Sequence, residues 1–267
     1  MDNSGTSVRS LLFRFINNQK KHDNNYIIAQ MVLKNFDNIP RMTIYELADA
    51  CFVSTSAVSR FIRLINFSTY TEFKDAVGKE IDIVSDYSKN MTQREMSIKT
   101  EFLNDFTTNI ISNLDFVQNN IPVSKIEGIV SDIFEAGDVA VFGLEFADFM
   151  GQHFQSKMGS MNKIIQVGFT VEDQLNIIDN IKPNGLALIF SMEGGFFYFS
   201  EKVITALKRK NVKIITFTFK KSPIIERSAD EIIICGETNE NTEGRISILY
   251  VMELLIYYYM RNYYLQS

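Results

Sequence analysis

The chain has 267 residues, enough for two domains, and its 27 Lys and Arg residues against 32 Asp and Glu residues give a net charge of −5. Two histidines and two scattered cysteines leave almost no material for a metal cluster, a histidine-based catalytic triad or a disulfide framework, so we predict no metal and no cofactor. No stretch approaches the ~18 uninterrupted apolar residues of a membrane-spanning helix, and the first residues carry no targeting pattern, which predicts a cytoplasmic protein with no membrane partner.

Apolar residues at three- and four-residue spacing predict a helical first domain, residues 1–81. Helices are expected over residues 8–16, over 26–36, and from 71 to about 81. Pro40 prevents the second of these helices from continuing further. Two further helices lie between them and complete an all-α bundle of five. The domain holds 10 Lys and Arg against 8 Asp and Glu, a net charge of +2 that leaves −7 for the remainder. The positive charge of an acidic chain is therefore concentrated here.

The two central helices of this bundle have the pattern of a helix-turn-helix. Thr43 with Glu46 three residues later is a capping box and starts the first helix, and Ser54 supplies the N-cap oxygen of the second. The second helix carries five apolar residues at core-facing spacing: Ala57, Val58, Phe61, Ile62 and Ile65. Its outer face is small, polar and cationic, which fits a DNA major groove. An ordinary helical hairpin with a solvated outer face is the alternative.

The same segment fits the pattern E-L-A-x-x-x-x-V-S-x-x-x-V-S-R-F-x-R, which runs from Glu46 to Arg63. This pattern resembles the N-terminal domain of RpiR/MurR-type bacterial transcription regulators. The resemblance and the position at the helix N-terminus imply two sets of contacts with double-stranded DNA: base edges by Thr55, Ser56 and Arg60, and phosphates by Ser54, Ser59 and Arg63. Phe52 stands where the family pattern usually has glycine. Phenylalanine is strained at positive φ, which argues against the usual tight turn.

The character of the sequence changes after the helical domain. Residues 82–100 are polar, of mixed charge and without a sustained apolar stripe, and we predict a linker. From Glu101 the stripe returns as an amphipathic helix that needs a partner face, with Phe102, Phe106, Ile110, Leu114 and Val117 along it. Residues 101–267 are expected to form the second domain.

The second domain alternates short β-branched runs with helical stretches. Five runs are apolar enough to be parallel strands buried on both faces: 138–142, 163–167, 186–191, 212–217 and 231–235. Helices are expected over 146–161, 171–178, 199–210 and 245–264. This order predicts an α/β three-layer (αβα) sandwich with a five-stranded parallel sheet. Ligands of such folds bind outside the carboxyl ends of the strands, so the loops after Phe142 and Phe190 are candidate sites.

This half of the chain resembles the sugar isomerase (SIS) domain, a phosphosugar-binding module that commonly follows the helix-turn-helix in the same family. The resemblance implies two phosphate-binding loops, of the types G-x-G-x-S and S-x-S-G-x-T. The first keeps only Gly143 and is followed by Glu145. The second keeps Ser191 and Gly194 but has Glu193 in place of a hydroxyl residue.

Carboxylates at both loops would repel a phosphate. One interpretation is that Glu145 and Glu193 point to solvent and the pocket is a degenerate scaffold kept for dimerisation. The other is an altered site for a cationic or polyhydroxyl effector, such as an amino sugar. Lys220 follows the fourth strand and could restore an anion site, but a lysine on a surface loop is usually just solvated. The candidate effector residues are Gly143, Glu145, Ser191, Glu193 and Gly194.

The tail helix carries apolar residues on more than one side, including Ile246, Tyr250 and Tyr259. One domain face cannot cover them all, so we expect a subunit interface and a homodimer or higher oligomer. We therefore predict a DNA-binding transcriptional regulator of sugar or amino-sugar metabolism that recognises an inverted-repeat operator and is not an enzyme. The alternative is a sugar-phosphate isomerase, or a sugar-phosphate-binding protein, with an accessory helical domain; the loss of phosphate-binding hydroxyls argues against it.

Overall fold

The computed structural model describes most of the chain, namely residues 7–19, 23–81, 99–144, 146–240 and 242–265. The chain divides into two compact units, residues 1–92 and 93–267. The predicted linker, residues 82–100, lies outside the described residues except for Lys99 and Thr100, which are already helical. No helix within the described ranges is long and apolar enough to cross a membrane.

The first unit is all-α, as predicted. Its helices are α1 (Val8–Asn18), α2 (Asn24–Lys34), α3 (Ile44–Ala50), α4 (Thr55–Leu64) and α5, whose described residues are 70–81, with a 3-10 helix over Phe36–Arg41 between α2 and α3. Pro40 lies inside this 3-10 helix. Proline has no backbone N–H, and because the segment is not α-helical, no α-helical hydrogen bond is lost there. One hydrophobic cluster joins all five helices and includes Leu12, Val32, Leu47, Phe61 and Phe73.

A buried carboxylate joins α5 to the start of α1, the last and first of the described helices in this unit. Glu80, in α5, accepts hydrogen bonds from the backbone N–H of Val8 (2.5 Å), from Ser7 Oγ (3.2 Å) and from Arg9 Nη1 (3.3 Å). The unpaired N–H groups and the positive end of the helix dipole make the start of α1 a favourable place for a carboxylate. The contact fixes the end of α5 against the start of α1.

The second unit alternates helices with the strands of one sheet. In order it contains α6 (Lys99–Asn120), α7 (Val123–Glu135), β1 (Val139–Gly143), α8 (Phe146–Gly159), β2 (Ile165–Val167), α9 (Val171–Asn180), β3 (Leu186–Phe190), α10 (Gly195–Phe199), α11 (Glu201–Arg209), β4 (Lys213–Thr218), α12 (Pro223–Ser228), β5 (Glu231–Ile234) and α13 (Gly244–Tyr259), which ends in a π-helical turn over Met260–Tyr264. All five predicted strands are present, with their ends shifted by two residues at most. The helices α7, α10 and α12 are additions to the prediction.

The sheet is parallel throughout, with strand order β2-β1-β3-β4-β5. Neighbouring residues of β1 point to opposite faces: Val139 and Val141 pack against one layer of helices, and Ala140 and Phe142 against the other. The strand order reverses between β1 and β3, which is where ligands bind in folds of this kind. Gly143 at the end of β1 is paired with Phe190 at the end of β3, so the two candidate loops start side by side.

Candidate DNA-binding and effector sites

The first helix of the helix-turn-helix, α3, begins with the predicted capping box. Thr43 N donates to Glu46 Oε2 (2.7 Å), and Glu46 N donates to Thr43 Oγ1 (3.2 Å). The backbone hydrogen bond from Thr43, followed by the one from its side chain, lowers the pKa of the Glu46 carboxyl group below its ordinary value. The box satisfies two N–H groups that the helix itself cannot pair.

The turn between α3 and α4 contradicts the expectation for Phe52. Phe52 adopts the left-handed conformation, with φ of 54°, that its bulk was expected to exclude. Two hydrogen bonds close the turn, from Phe52 N to Asp49 O (3.1 Å) and from Val53 N to Ala48 O (3.0 Å). The ring is 97% exposed and meets no crowded neighbour, so only the local strain of the backbone opposes the turn. The usual tight turn therefore forms without glycine.

The second helix, α4, is held by the residues that its sequence pattern indicated. Ser54 Oγ accepts a hydrogen bond from Ala57 N (3.2 Å) as the N-cap. The five residues predicted to face the core are all buried: Ala57, Val58, Phe61, Ile62 and Ile65. The hydroxyl hydrogen of Ser54 remains available, because in the cap the oxygen is an acceptor.

The outer face of α4 is polar and cationic. Ser54, Ser56, Arg60 and Arg63 are exposed, and Thr55 and Ser59 are half-buried. At 3.6 residues per turn, the helical members of this set span an arc of roughly 140° on one side of α4. Among the residues that the structure describes, neither Arg60 nor Arg63 has an ion-pair partner, so both guanidinium groups are available to an anionic ligand. Arg60 also borders an open depression beside the start of α2, lined by Asp23, Asn24, Asn25 and Ala57.

In the second unit, the loop after β1 keeps its glycine for a packing reason. A Cβ atom on Gly143 would lie 2.1 Å from Ala147 Cβ and 2.6 Å from the backbone oxygen of Phe190. The glycine thus lets β1 end directly against α8 and β3. Glu145, the first of the two candidate effector carboxylates, lies outside the described residues.

The loop after β3 uses its two retained residues to shape itself. Ser191 is buried, and its Oγ accepts a hydrogen bond from Phe196 N (3.2 Å) at the start of α10. Gly194 has φ of 81°, a conformation that glycine adopts without strain. Both residues therefore support the conformation of the segment in which Glu193 lies.

Glu193 does not point to solvent, contrary to the first interpretation of the sequence. Its side chain is only 20% exposed. Asn239 Nδ2 donates to Glu193 Oε1 (2.9 Å), and Lys220 Nζ lies 2.5 Å from Glu193 Oε2. The expected uncompensated negative charge is therefore neutralised by Lys220, which is paired although its own side chain is 69% exposed.

Two hydrogen bonds also join the loop after β3 to the end of β4 and the residue that follows it. Thr218 Oγ1 (3.0 Å) and Phe219 N (2.8 Å) both donate to Met192 O. This contact brings Lys220 next to Glu193. The position of Lys220 after a parallel strand was a usable signal in the sequence, whereas nothing local marks Asn239, which lies 46 residues from Glu193.

Comparison with known proteins finds the same pair of domains. Residues 12–83 match the model of the helix-turn-helix domain of the rpiR family, and residues 132–258 match the model of the SIS domain. A relative from Haemophilus influenzae, described as an uncharacterized HTH-type transcriptional regulator, is 20% identical over 244 residues, which cover 85% of this chain and 82% of that protein.

Two solved structures share the fold. The Vibrio vulnificus NanR protein complexed with ManNAc-6P superposes with a TM-score of 0.52 at 14% identity, over 96% of this chain and 92% of its own. The sugar isomerase domain of an RpiR transcription factor from Sphaerobacter thermophilus gives a TM-score of 0.52 at 19% identity, over 59% of this chain and 88% of its own.

Proposed function

Since this chain belongs to the RpiR family of DNA-binding transcriptional regulators, we propose that it binds an inverted-repeat operator as a homodimer under the control of a sugar-derived effector. The observation that carries the DNA-binding part is the outer face of α4, where Arg60 and Arg63 are exposed beside small hydroxyl residues. A recognition helix of this kind places its N-terminal side chains against base edges in the major groove.

We assign the six polar residues of α4 to two roles. Thr55, Ser56 and Arg60 contact base edges. Ser54, Ser59 and Arg63 hold the phosphates on either side. The capping bond of Ser54 leaves its O–H free to donate to a phosphate oxygen. A net charge of only +2 in this domain predicts weak binding by one copy, so two copies on two half-sites are needed.

The proposed dimer surface lies on α13 and the adjacent α8. Ile246, Tyr250 and Tyr257 are exposed and lie along one side of α13, and Phe149 is exposed on α8. The other side of α13 is buried in the unit, with Met252, Leu255, Ile256 and Tyr259. An exposed stripe of large apolar side chains is typical of a subunit interface.

The proposed effector site is the carboxyl edge of the sheet, where Ser191, Glu193 and Gly194 meet Lys220. The ManNAc-6P complex of NanR supports an effector of the amino-sugar class. Because Lys220 is already neutralised by Glu193, the sugar moiety contributes more to affinity than a phosphate would. Hydroxyl and amino groups of the sugar can contact the carboxylate and amide groups here.

An electrophoretic mobility shift assay and an isomerase assay, carried out in parallel, distinguish a DNA-binding regulator from a sugar-phosphate isomerase. The full-length protein is incubated with DNA of its own promoter region, and in parallel with a panel of sugar phosphates in an assay of aldose–ketose interconversion. We expect a salt-sensitive DNA complex and no turnover, because Glu193 is engaged by Lys220 and Asn239 and is poorly placed to act as a general base. Turnover without a DNA complex would contradict the proposal.

A further inference from the structure

Asn239, the residue that holds Glu193, belongs to the segment between β5 and α13, of which residues 235–240, 242 and 243 are described. Its Oδ1 accepts a hydrogen bond from Gly244 N (3.1 Å), which fixes the orientation of the amide and directs Nδ2 toward Glu193. The position of this segment and the geometry of the effector site are therefore linked through one side chain.

The opposite side of the segment is fastened to α6 by a buried asparagine. Asn113 Oδ1 accepts hydrogen bonds from Glu237 N (2.9 Å) and Thr238 N (3.1 Å), and Asn113 Nδ2 donates to Thr238 O (2.8 Å). Asn113 has no exposed surface, so the amide cannot exchange these bonds for bonds to water. A movement of Thr238 must then move α6 or leave buried polar groups unpaired.

A second asparagine, one turn earlier on α6, holds the end of the segment. Asn109 Nδ2 donates to Glu243 Oε1 (3.2 Å), and the same oxygen accepts a hydrogen bond from Glu240 N (3.1 Å). Glu243 is fully buried at the start of α13. The side of α6 that carries Asn109 and Asn113 thus contacts the segment on both sides of Asn239.

We propose that α6 senses the occupancy of the effector site through this segment, with Asn109 and Asn113 as positioning residues. The inference rests on the proposed effector control and specifies its route. An effector that displaces Glu193 from Lys220 and Asn239 releases Asn239, the segment shifts, and α6 shifts with it. Among the described elements of the second unit, α6 is the one nearest in sequence to the helix-turn-helix unit, so we expect its displacement to be passed along the chain toward the DNA-binding residues. Coupling of this kind alters affinity by roughly 5–150-fold.

A double-mutant cycle tests the route without knowledge of the effector. Operator DNA is obtained by selection with the wild-type protein. Its affinity is then measured by fluorescence anisotropy for the wild type, Glu193→Ala, Asn109→Ala and the double variant. Glu193→Ala removes both bonds to the site and mimics displacement, so we expect it to change the operator Kd by about fivefold or more. In the Asn109→Ala background the same change should be smaller, because of the two asparagines only Asn113 still joins the segment to α6.

Asn120→Ala is the matched control on the same helix. Within the part of the chain that the structure describes, Asn120 Nδ2 donates only to Phe116 O of the same helix, so the effect of Glu193→Ala should persist in that background. A second measurement leaves the sequence of α6 unaltered. Amide hydrogen exchange in the Glu193→Ala protein should be faster than in the wild type over α6 and unchanged over α9. An operator Kd that Glu193→Ala leaves unaltered, or a change of undiminished size in the Asn109→Ala background, would overturn the inference. Failure of the wild type to select any DNA would instead overturn the proposed function.

Discussion

Lys220 Nζ and Glu193 Oε2 lie 2.5 Å apart at the edge of the sheet where a SIS fold is expected to bind its ligand. Because Lys220 is largely exposed, the pair adds little to stability, about 0–1 kcal/mol for pairs of this kind. We expect its effect on an anionic ligand to be larger, because the tethered carboxylate would compete with that ligand for the ammonium group of Lys220 at millimolar effective concentration.

The first prediction is that Glu193 weakens the binding of sugar phosphates. Glu193→Ser frees Lys220 and restores a hydroxyl group, so the affinity for ManNAc-6P should rise by at least tenfold, about 1.4 kcal/mol. The affinity for unphosphorylated N-acetylmannosamine should change less. Isothermal titration calorimetry measures both, and Glu201→Ser, an exposed site on α11, is the control. Micromolar binding of ManNAc-6P to the wild type, lost in Ser191→Ala, would contradict this view of the site.

The second prediction separates Arg60 from Arg63 on α4. Arg60→Ala should cost about 1–3 kcal/mol of operator binding and relax the preference at one base position. Arg63→Ala should weaken binding to all sequences alike and reduce the slope of log K against log salt by about one. Titrations of both variants at several salt concentrations, with the operator and with a scrambled duplex, distinguish the two effects. If the Arg60→Ala protein binds the operator with unchanged specificity, α4 docks on DNA in another orientation.

The third prediction concerns the exposed stripe of α13. Tyr257→Asp puts a charge into the proposed dimer surface, and we expect the protein to become monomeric in sedimentation velocity. Operator affinity should fall with it, because one copy makes too few phosphate contacts. As a control, Lys202→Asp introduces an aspartate on α11, in the helical layer on the other face of the sheet from α13, and should leave the dimer intact. A Tyr257→Asp protein that remains dimeric would place the interface elsewhere.

The fourth prediction follows from the left-handed backbone of Phe52. Glycine removes the strain at this position, so Phe52→Gly should stabilise the helix-turn-helix by up to ~1 kcal/mol, in spite of the entropy that glycine loses on folding. Native-state hydrogen exchange of the amides in α3 and α4 measures this free energy. Tyr45→Ala removes another exposed aromatic ring, from α3, at a position with ordinary helical backbone, and serves as control. Lower protection in Phe52→Gly would show that the exposed ring has a contact of its own.

The fifth prediction is a pH dependence at the start of α3. The pKa of Glu46 is lowered in the folded protein, so its contribution to stability is present above the ordinary pKa and is lost as the pH falls through the lowered one. The protection of α3 amides in the wild type should therefore exceed that in Glu46→Gln at neutral pH. The two proteins should converge in acid. A difference that stays constant across this pH range would mean that the Glu46 charge is not involved.

The parts of the structure that follow local patterns were predictable from the sequence. The core face of α4 follows the helical period, the five strands follow short apolar runs, and the capping box joins Thr43 to Glu46 three residues later. The prediction for Glu193 is wrong because contacts between residues far apart in the sequence determine where its side chain lies. Glu193 has its partners 27 and 46 residues away, and no local pattern marks Asn239 or its connection to α6. Phe52 adopts the left-handed conformation against expectation because its side chain meets open solvent, which leaves the strain small enough to be tolerated.

Selection of binding sites from random duplex DNA by the full-length protein tests the central proposal most directly. The account predicts enrichment of an inverted repeat whose half-sites are centred about 10 base pairs apart, or a multiple of that spacing. Arg60→Ala should enrich the same repeat with one degenerate position in each half. Enrichment of no sequence, or of a single half-site bound equally well by a monomeric variant, would contradict the account.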